Sequence, residues 1–182
     1  LFPYTTLFRS AMQWNEELQL AMLAYENSNI DIIIGNEIIN IPDIMKKQLP
    51  GDKTVYDIYF LQNRAYLSCG FGIVVIDIEQ YEITETYFIG NNGDQLKVNQ
   101  VTSDGVYLYA ATDMGIRRAD LAGRFLMDFN SWEVVTELPE NQGVFESIVY
   151  FNNRLFTVYK DPVGLQDRVY YLDNTWKFYP DF

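Results

Sequence analysis

The residues able to do chemistry in this chain are few. Cys69 is the single cysteine and there is no histidine. Histidine is the commonest general base and metal ligand, so a Ser-His-Asp or Cys-His site is excluded within the sequence. A cysteine nucleophile lacks its usual neighbour, and Cys69 reads as a small packing residue. Asn91-Asn92-Gly93-Asp94 gathers oxygen ligands around a glycine, in the manner of a calcium loop. The ligands at alternate positions and the distal bidentate Glu of such a loop are missing, so an inter-element turn is the simpler reading. Asp77, Asp120 and Asp173 share one offset from an apolar residue. They read as strand-end side chains that cap the following turn, with a shared ion or a polar channel as the alternative. Glu16, Glu17 and Asp128 have no partner that the sequence can place, and a glycosidase needs two carboxylates at a set separation. No catalytic, cofactor-binding or metal-ligating residue is assigned, and no cofactor is expected. The 14 Tyr and 12 Phe residues suit stacking on sugars or peptides, but most are expected to fill space between sheets.

What does recur is a turn. Ile30, Ile73 and Ile116 fall 43 residues apart, preceded by Asn29, Gly72 and Gly115. Glycine enters positive φ without steric cost and Asn is among the few others that tolerate it. These three are therefore read as structural turn residues that share one backbone conformation. Leu23, Tyr66 and Tyr109 lie on the same ladder. The repeated units are runs of β-branched and aromatic residues separated by Asn, Asp and Gly. Four-stranded units at this period are the pattern of β-propeller blades. The expected fold is all-β: a propeller fragment of about four four-stranded antiparallel blades, at residues 12–44, 54–90, 97–138 and 145–182, forming an open arc of a larger ring. One segment conflicts with this. MQWNEELQLAMLAYE favours helix by propensity, whereas the repeat makes it a hairpin turning at Asn15-Glu16-Glu17. The hairpin is the reading adopted.

With 48% hydrophobic residues the chain can bury a substantial core. Its net charge of −12, from 25 acids and 13 bases, repels phosphate backbones and argues against nucleic acid as a partner. No apolar run reaches the roughly 18–20 residues needed to span a bilayer. The opening string LFPYTTLFRS resembles translated sequencing-adapter read-through. Residues 1–10 are accordingly expected to be non-native and to lie outside the fold, with residues 11–182 an internal fragment whose signal peptide lies elsewhere.

Four stretches carry a resemblance to a known family: Ala24-Tyr25-Glu26-Asn27-Ser28-Asn29-Ile30-Asp31, Asn40-Ile41-Pro42-Asp43-Ile44, Gly51-Asp52-Lys53-Thr54, and Ala65-Tyr66-Leu67-Ser68 followed by Gly70-Phe71-Gly72-Ile73-Val74-Val75. Together they resemble the N-terminal propeller family of PorZ, a component of the bacterial type IX secretion system. Ala111-Thr112-Asp113-Met114-Gly115-Ile116 also resembles the repeat of two-component-regulator propellers. The first resemblance implies an exported protein at the cell surface or outer membrane, built of tandem propellers and a C-terminal sorting domain. It implies a non-catalytic scaffold acting with the sortase PorU and other attachment-complex proteins in cargo processing, with anionic lipopolysaccharide bound through other domains. Two alternatives stay open: the extracellular sensory propeller of a hybrid two-component receptor, and a polysaccharide-active propeller enzyme. The absence of histidine and of an identifiable acid pair argues against the enzyme.

Overall fold

The computed structural model describes residues 9–48, 51–123, 125–164 and 166–180. They form four antiparallel sheets of four strands, each a meander in which successive strands are neighbours. The first holds β1 (Arg9–Asn15), β2 (Leu20–Tyr25), β3 (Ile30–Ile34) and β4 (Glu37–Ile41). The second holds β5 (Val55–Leu61), β6 (Arg64–Cys69), β7 (Gly72–Asp77) and β8 (Glu82–Tyr87). The third holds β9 (Val98–Ser103), β10 (Tyr107–Thr112), β11 (Gly115–Asp120) and β12 (Glu133–Val134). The fourth holds β13 (Phe145–Phe151), β14 (Arg154–Tyr159), β15 (Arg168–Asp173) and β16 (Thr175–Phe178). The first strands of neighbouring sheets lie side by side, so the sheets converge on β1, β5, β9 and β13 as blades of a propeller arc. The helix-prone opening segment is strand throughout β1 and β2, because pairing on both edges of β2 outweighs the weak preference of Ala, Met and Leu for helix.

Strand side chains alternate between faces, and the alternation sends each blade into two cores. On β7, Val74 and Ile76 join Leu67 and Met22 between the first and second sheets. Ile73 and Val75 join Leu108 and Tyr87 between the second and third. On β10, Leu108 and Ala110 face back to that second core, while Tyr109 and Ala111 face Phe145 between the third and fourth sheets. A short helix, α1 (Asp43–Lys46), was not foreseen from the sequence. Its Ile44, 2% exposed, packs into the core between the first and second sheets, and Lys53 Nζ donates to the Met45 carbonyl at 2.8 Å at its C-terminal end.

Several expectations need correction. Arg9 and Ser10 belong to the fold, since β1 begins at Arg9 and pairs Arg9 with Tyr25. The reason recurs around the arc: every first strand carries a register shift near its start. The residues left over are Ser10, Tyr56, Asn99 and Glu146. A β-bulge of this kind bends the strand through its backbone and accepts almost any side chain, so it leaves no mark in composition. Residues 1–8 lie outside the described residues. The first-blade turn also differs. Positive φ falls on Ser28, at 65°, and not on Asn29. Here Tyr25 N–H donates to the Asn29 carbonyl and the loop is three residues long, Glu26-Asn27-Ser28. In the second and third blades Cys69 pairs with Gly72 and Thr112 with Gly115 around two-residue loops. A three-residue loop places its left-handed residue last, and Ser28 is held there by its Oγ donating to the Lys53 carbonyl at 2.8 Å. The last strand of the third blade, β12, is only two residues long. Trp132 turns into the core, 5% exposed, and its Nε1 donates to the Leu126 carbonyl at 2.9 Å.

Candidate functional site on the first strands

The four first strands line an open cavity of about 440 Å³. Its polar wall comes from Asp57 on β5 and from Gln100 and Thr102 on β9, and its aromatic wall from Trp14, Tyr59 and Tyr150. Two of these polar groups fasten neighbouring blades. Ile148 N–H donates to Gln100 Oε1 at 3.0 Å and Tyr150 N–H to Thr102 Oγ1 at 3.2 Å. Lower on the same seam Asn99 Nδ2 donates to the Phe145 carbonyl at 2.9 Å and to Asp113 Oδ1 at 3.0 Å. These side chains satisfy backbone groups of β13 that its own sheet leaves open, which a buried edge requires.

Asp57 is the half-buried carboxylate of the cavity. Burial pushes its pKa up, against the lowering pull of the Ile58 and Val101 N–H groups and the Gln100 side chain. The sign follows from linkage. A carboxylate whose folded pKa lies above its unfolded value favours the folded state while protonated, and that favour is lost as pH rises from the ordinary Asp range through the raised value. Asp57→Asn is therefore expected to raise the melting temperature at pH 7 and to flatten the fall in stability just above pH 4. Thermal melts across that range check this, and a variant whose profile matched the parent would contradict it. The aromatic side chains are partly open: Trp14 is 48% and Tyr150 39% exposed. Trp14 Nε1 donates to Glu16 Oε2 at 2.7 Å. Flat apolar faces beside carboxylate and amide groups can stack on and hydrogen-bond a sugar ring or an extended peptide.

The other residues singled out above fall as follows. Cys69 is fully buried, its Sγ is 3.5 Å from the Leu67 carbonyl, and burial pushes the thiol pKa far up; a thiolate nucleophile needs the opposite. Asp77 accepts from the N–H groups of Glu79 at 2.8 Å and Gln80 at 2.9 Å, and Asp120 from Ala122 N–H at 2.8 Å, so both cap turns. Asp173 does not; its carboxylate meets Lys177 Nζ at 2.9 Å, because β15 and β16 are joined at Asn174 alone and leave no N–H for it to cap. Asp128 accepts from Asn130 N–H at 2.9 Å. Asn91 to Gly93 form a single 3-10 turn with Asn92 at φ 57°. Among the described residues no three His, Cys, Asp or Glu side chains come together as a metal site. Gly72 and Gly115 have φ 149° and 96°. Sequence reasoning missed Asp57, Gln100 and Thr102; they alternate with apolar neighbours, which shows a strand but not which face meets the axis.

The sequence matches the model of the type IX secretion PorZ N-terminal β-propeller domain over residues 7–133. No curated protein matches it. Among solved structures it is similar to PorZ of Porphyromonas gingivalis, an essential bacterial surface component of the type IX secretion system, with TM-score 0.76 and 23% identity. That similarity covers 93% of this chain and 22% of PorZ, so the chain spans about a fifth of that relative. It is also similar to the extracellular domain of a putative hybrid two-component system from B. thetaiotaomicron, with TM-score 0.63 and 15% identity, over 94% of this chain and 21% of that one.

Proposed function

Since the chain belongs to the family of PorZ N-terminal β-propeller domains of type IX secretion, we propose that it is a non-catalytic scaffold and binding module at the bacterial cell surface. In this reading it works in an attachment complex where the sortase PorU processes cargo and joins it to anionic lipopolysaccharide, the lipopolysaccharide contact being made through other domains. The family match over residues 7–133 is the observation that carries the proposal. The site chemistry agrees with it. The polar groups on the first strands fasten blades together, the thiol is buried, and the chain has no histidine to act as a base. No helix among the described residues is long and apolar enough to cross a membrane.

The test is co-purification of the full gene product with PorU from the bacterium that encodes it. Stoichiometric capture, together with accumulation of unprocessed cargo when the gene is deleted, is the expected result. Normal cargo processing in the deletion strain would refute the reading. The second reading is a glycan-sensing propeller of a hybrid two-component receptor, favoured by the similarity to the B. thetaiotaomicron domain. A downstream membrane helix and kinase would select it, and a downstream sorting domain the first. Release of sugars by the purified full protein would displace both in favour of an enzyme.

A further inference from the structure

Arg117 lies on β11, opposite Ala110 on β10 and Val134 on β12. It is 6% exposed. Its Nη2 donates to Asn91 Oδ1 at 2.9 Å, and its Nε is out of solvent with no hydrogen-bond partner. Among the described residues no carboxylate forms an ion pair with it, although the chain carries 25 acids to 13 bases. The neighbouring Arg118 shows the ordinary arrangement. It pairs with Glu133 at 2.6 Å and Glu137 at 3.4 Å and lies over the Tyr107 ring. A buried guanidinium without a countercharge is costly unless something supplies one. Arg117 lines a cavity of about 320 Å³ with Asn91, Asn141, Gln142, Met114 and Val134. The loop that carries Asn141 and Gln142 is pinned beside it, since Gly115 N–H donates to the Gly143 carbonyl at 2.8 Å.

We propose that this cavity binds an oxyanion, a carboxylate or phosphate group of a small ligand, with Arg117 as its charged anchor. A guanidinium edge offers two parallel N–H groups, the geometry that two oxygens of one such group accept. The amides of Asn91, Asn141 and Gln142 supply neutral donors and acceptors for the atoms around that group. The volume is at the small end for a ligand pocket and suits one such head group with a little of what it is attached to. The site is separate from the cavity on the first strands, and the proposal does not depend on the secretion reading.

The test is a titration of the 182-residue chain with sodium acetate and with inorganic phosphate, following the Arg117 Nε–H resonance by NMR, with sodium chloride at matched ionic strength as control. Saturable movement with acetate, phosphate or both, with dissociation constants of about 10 mM or tighter, is expected; the stronger of the two identifies the group. Arg117→Lys keeps the charge but not the fork and, followed by the anion-dependent rise in melting temperature, is expected to bind at least ~10-fold more weakly. Arg117→Met is expected to stay folded and to lose the rise in melting temperature that the binding anion gives the parent chain. No saturable shift with either anion, a shift that chloride reproduces, or an undiminished thermal response to the anions in Arg117→Met would overturn the proposal. The wild-type resonance remains decisive if a variant does not fold.

Discussion

Gly72→Val is expected to destabilise the chain by about 4 kcal/mol or more, and Gly115→Val by about 2–4 kcal/mol. Both glycines have positive φ, 149° and 96°, where a β-branched residue is an outlier and strain alone costs about 1–3 kcal/mol. Both also sit where another strand or loop crosses. A Cβ on Gly72 would lie 2.1 Å from the Tyr87 carbonyl oxygen, and one on Gly115 2.6 Å from that of Asn141. The Tyr87 backbone cannot retreat, because it is paired with Ile73 in the sheet and its ring is buried against Trp132. Asn141 is in a loop and can yield somewhat, which is why the second effect is smaller. Gly105→Val is the control: its φ is 89° but a Cβ there meets nothing within 4 Å, so only the backbone term of about 1–3 kcal/mol applies. Denaturant unfolding of the three variants should give the order Gly72, Gly115, Gly105. Equal losses would show that close approach between strands is not what these positions require.

The second large effect separates the cores. Leu67→Ala, in the core between the first and second sheets, and Leu108→Ala, in the core between the second and third, should each cost about 2–5 kcal/mol. Both leucines are fully buried, so neither cavity can fill with water cheaply. Ile76 and Ile73 test independence more finely. They are three residues apart on β7 yet enter different cores. Ile76→Val and Ile73→Val should each cost about 0.5–1.5 kcal/mol, and their double variant should equal the sum to within about 0.5 kcal/mol. A large coupling between them would mean one continuous core.

The repeat was legible because glycine is needed where the backbone of another segment crosses the turn, and the need arises at the same place in the second and third blades; Gly72 and Gly115 announce it. The first blade shows the limit of that signal. Its loop is one residue longer, so the left-handed residue moved to Ser28, and Asn29, although chemically suited, is not where the strain falls. The bulges at Ser10, Tyr56, Asn99 and Glu146 were invisible for the opposite reason: they are backbone features that four unrelated side chains serve equally well. Adapter-like composition consequently hid the fact that Arg9 and Ser10 pair in β1. The cavity residues were legible as strand residues only, since facing the axis depends on how blades pack. Arg117-Arg118 looks like an exposed basic pair in one dimension. Strand parity does not distinguish them, because Arg117 shares a face with the buried Ala119 and Arg118 with the buried Ile116; what separates them is that Glu133 and Glu137 reach only Arg118.

The account stands on four sheets assembled about one axis, with side chains of one blade completing the backbone hydrogen bonds of the next. Amide hydrogen exchange at Ile148 and Tyr150 tests this most directly, because their N–H groups are held by Gln100 and Thr102 of the preceding blade. The prediction is exchange slowed at least ~100-fold relative to an open chain, with protection lost selectively at Ile148 in Gln100→Ala and at Tyr150 in Thr102→Ala. Exchange of both amides at the open-chain rate, while Tyr66 and Tyr109 on the middle strands of their blades remain protected, would mean that the sheets fold separately and the arc does not exist.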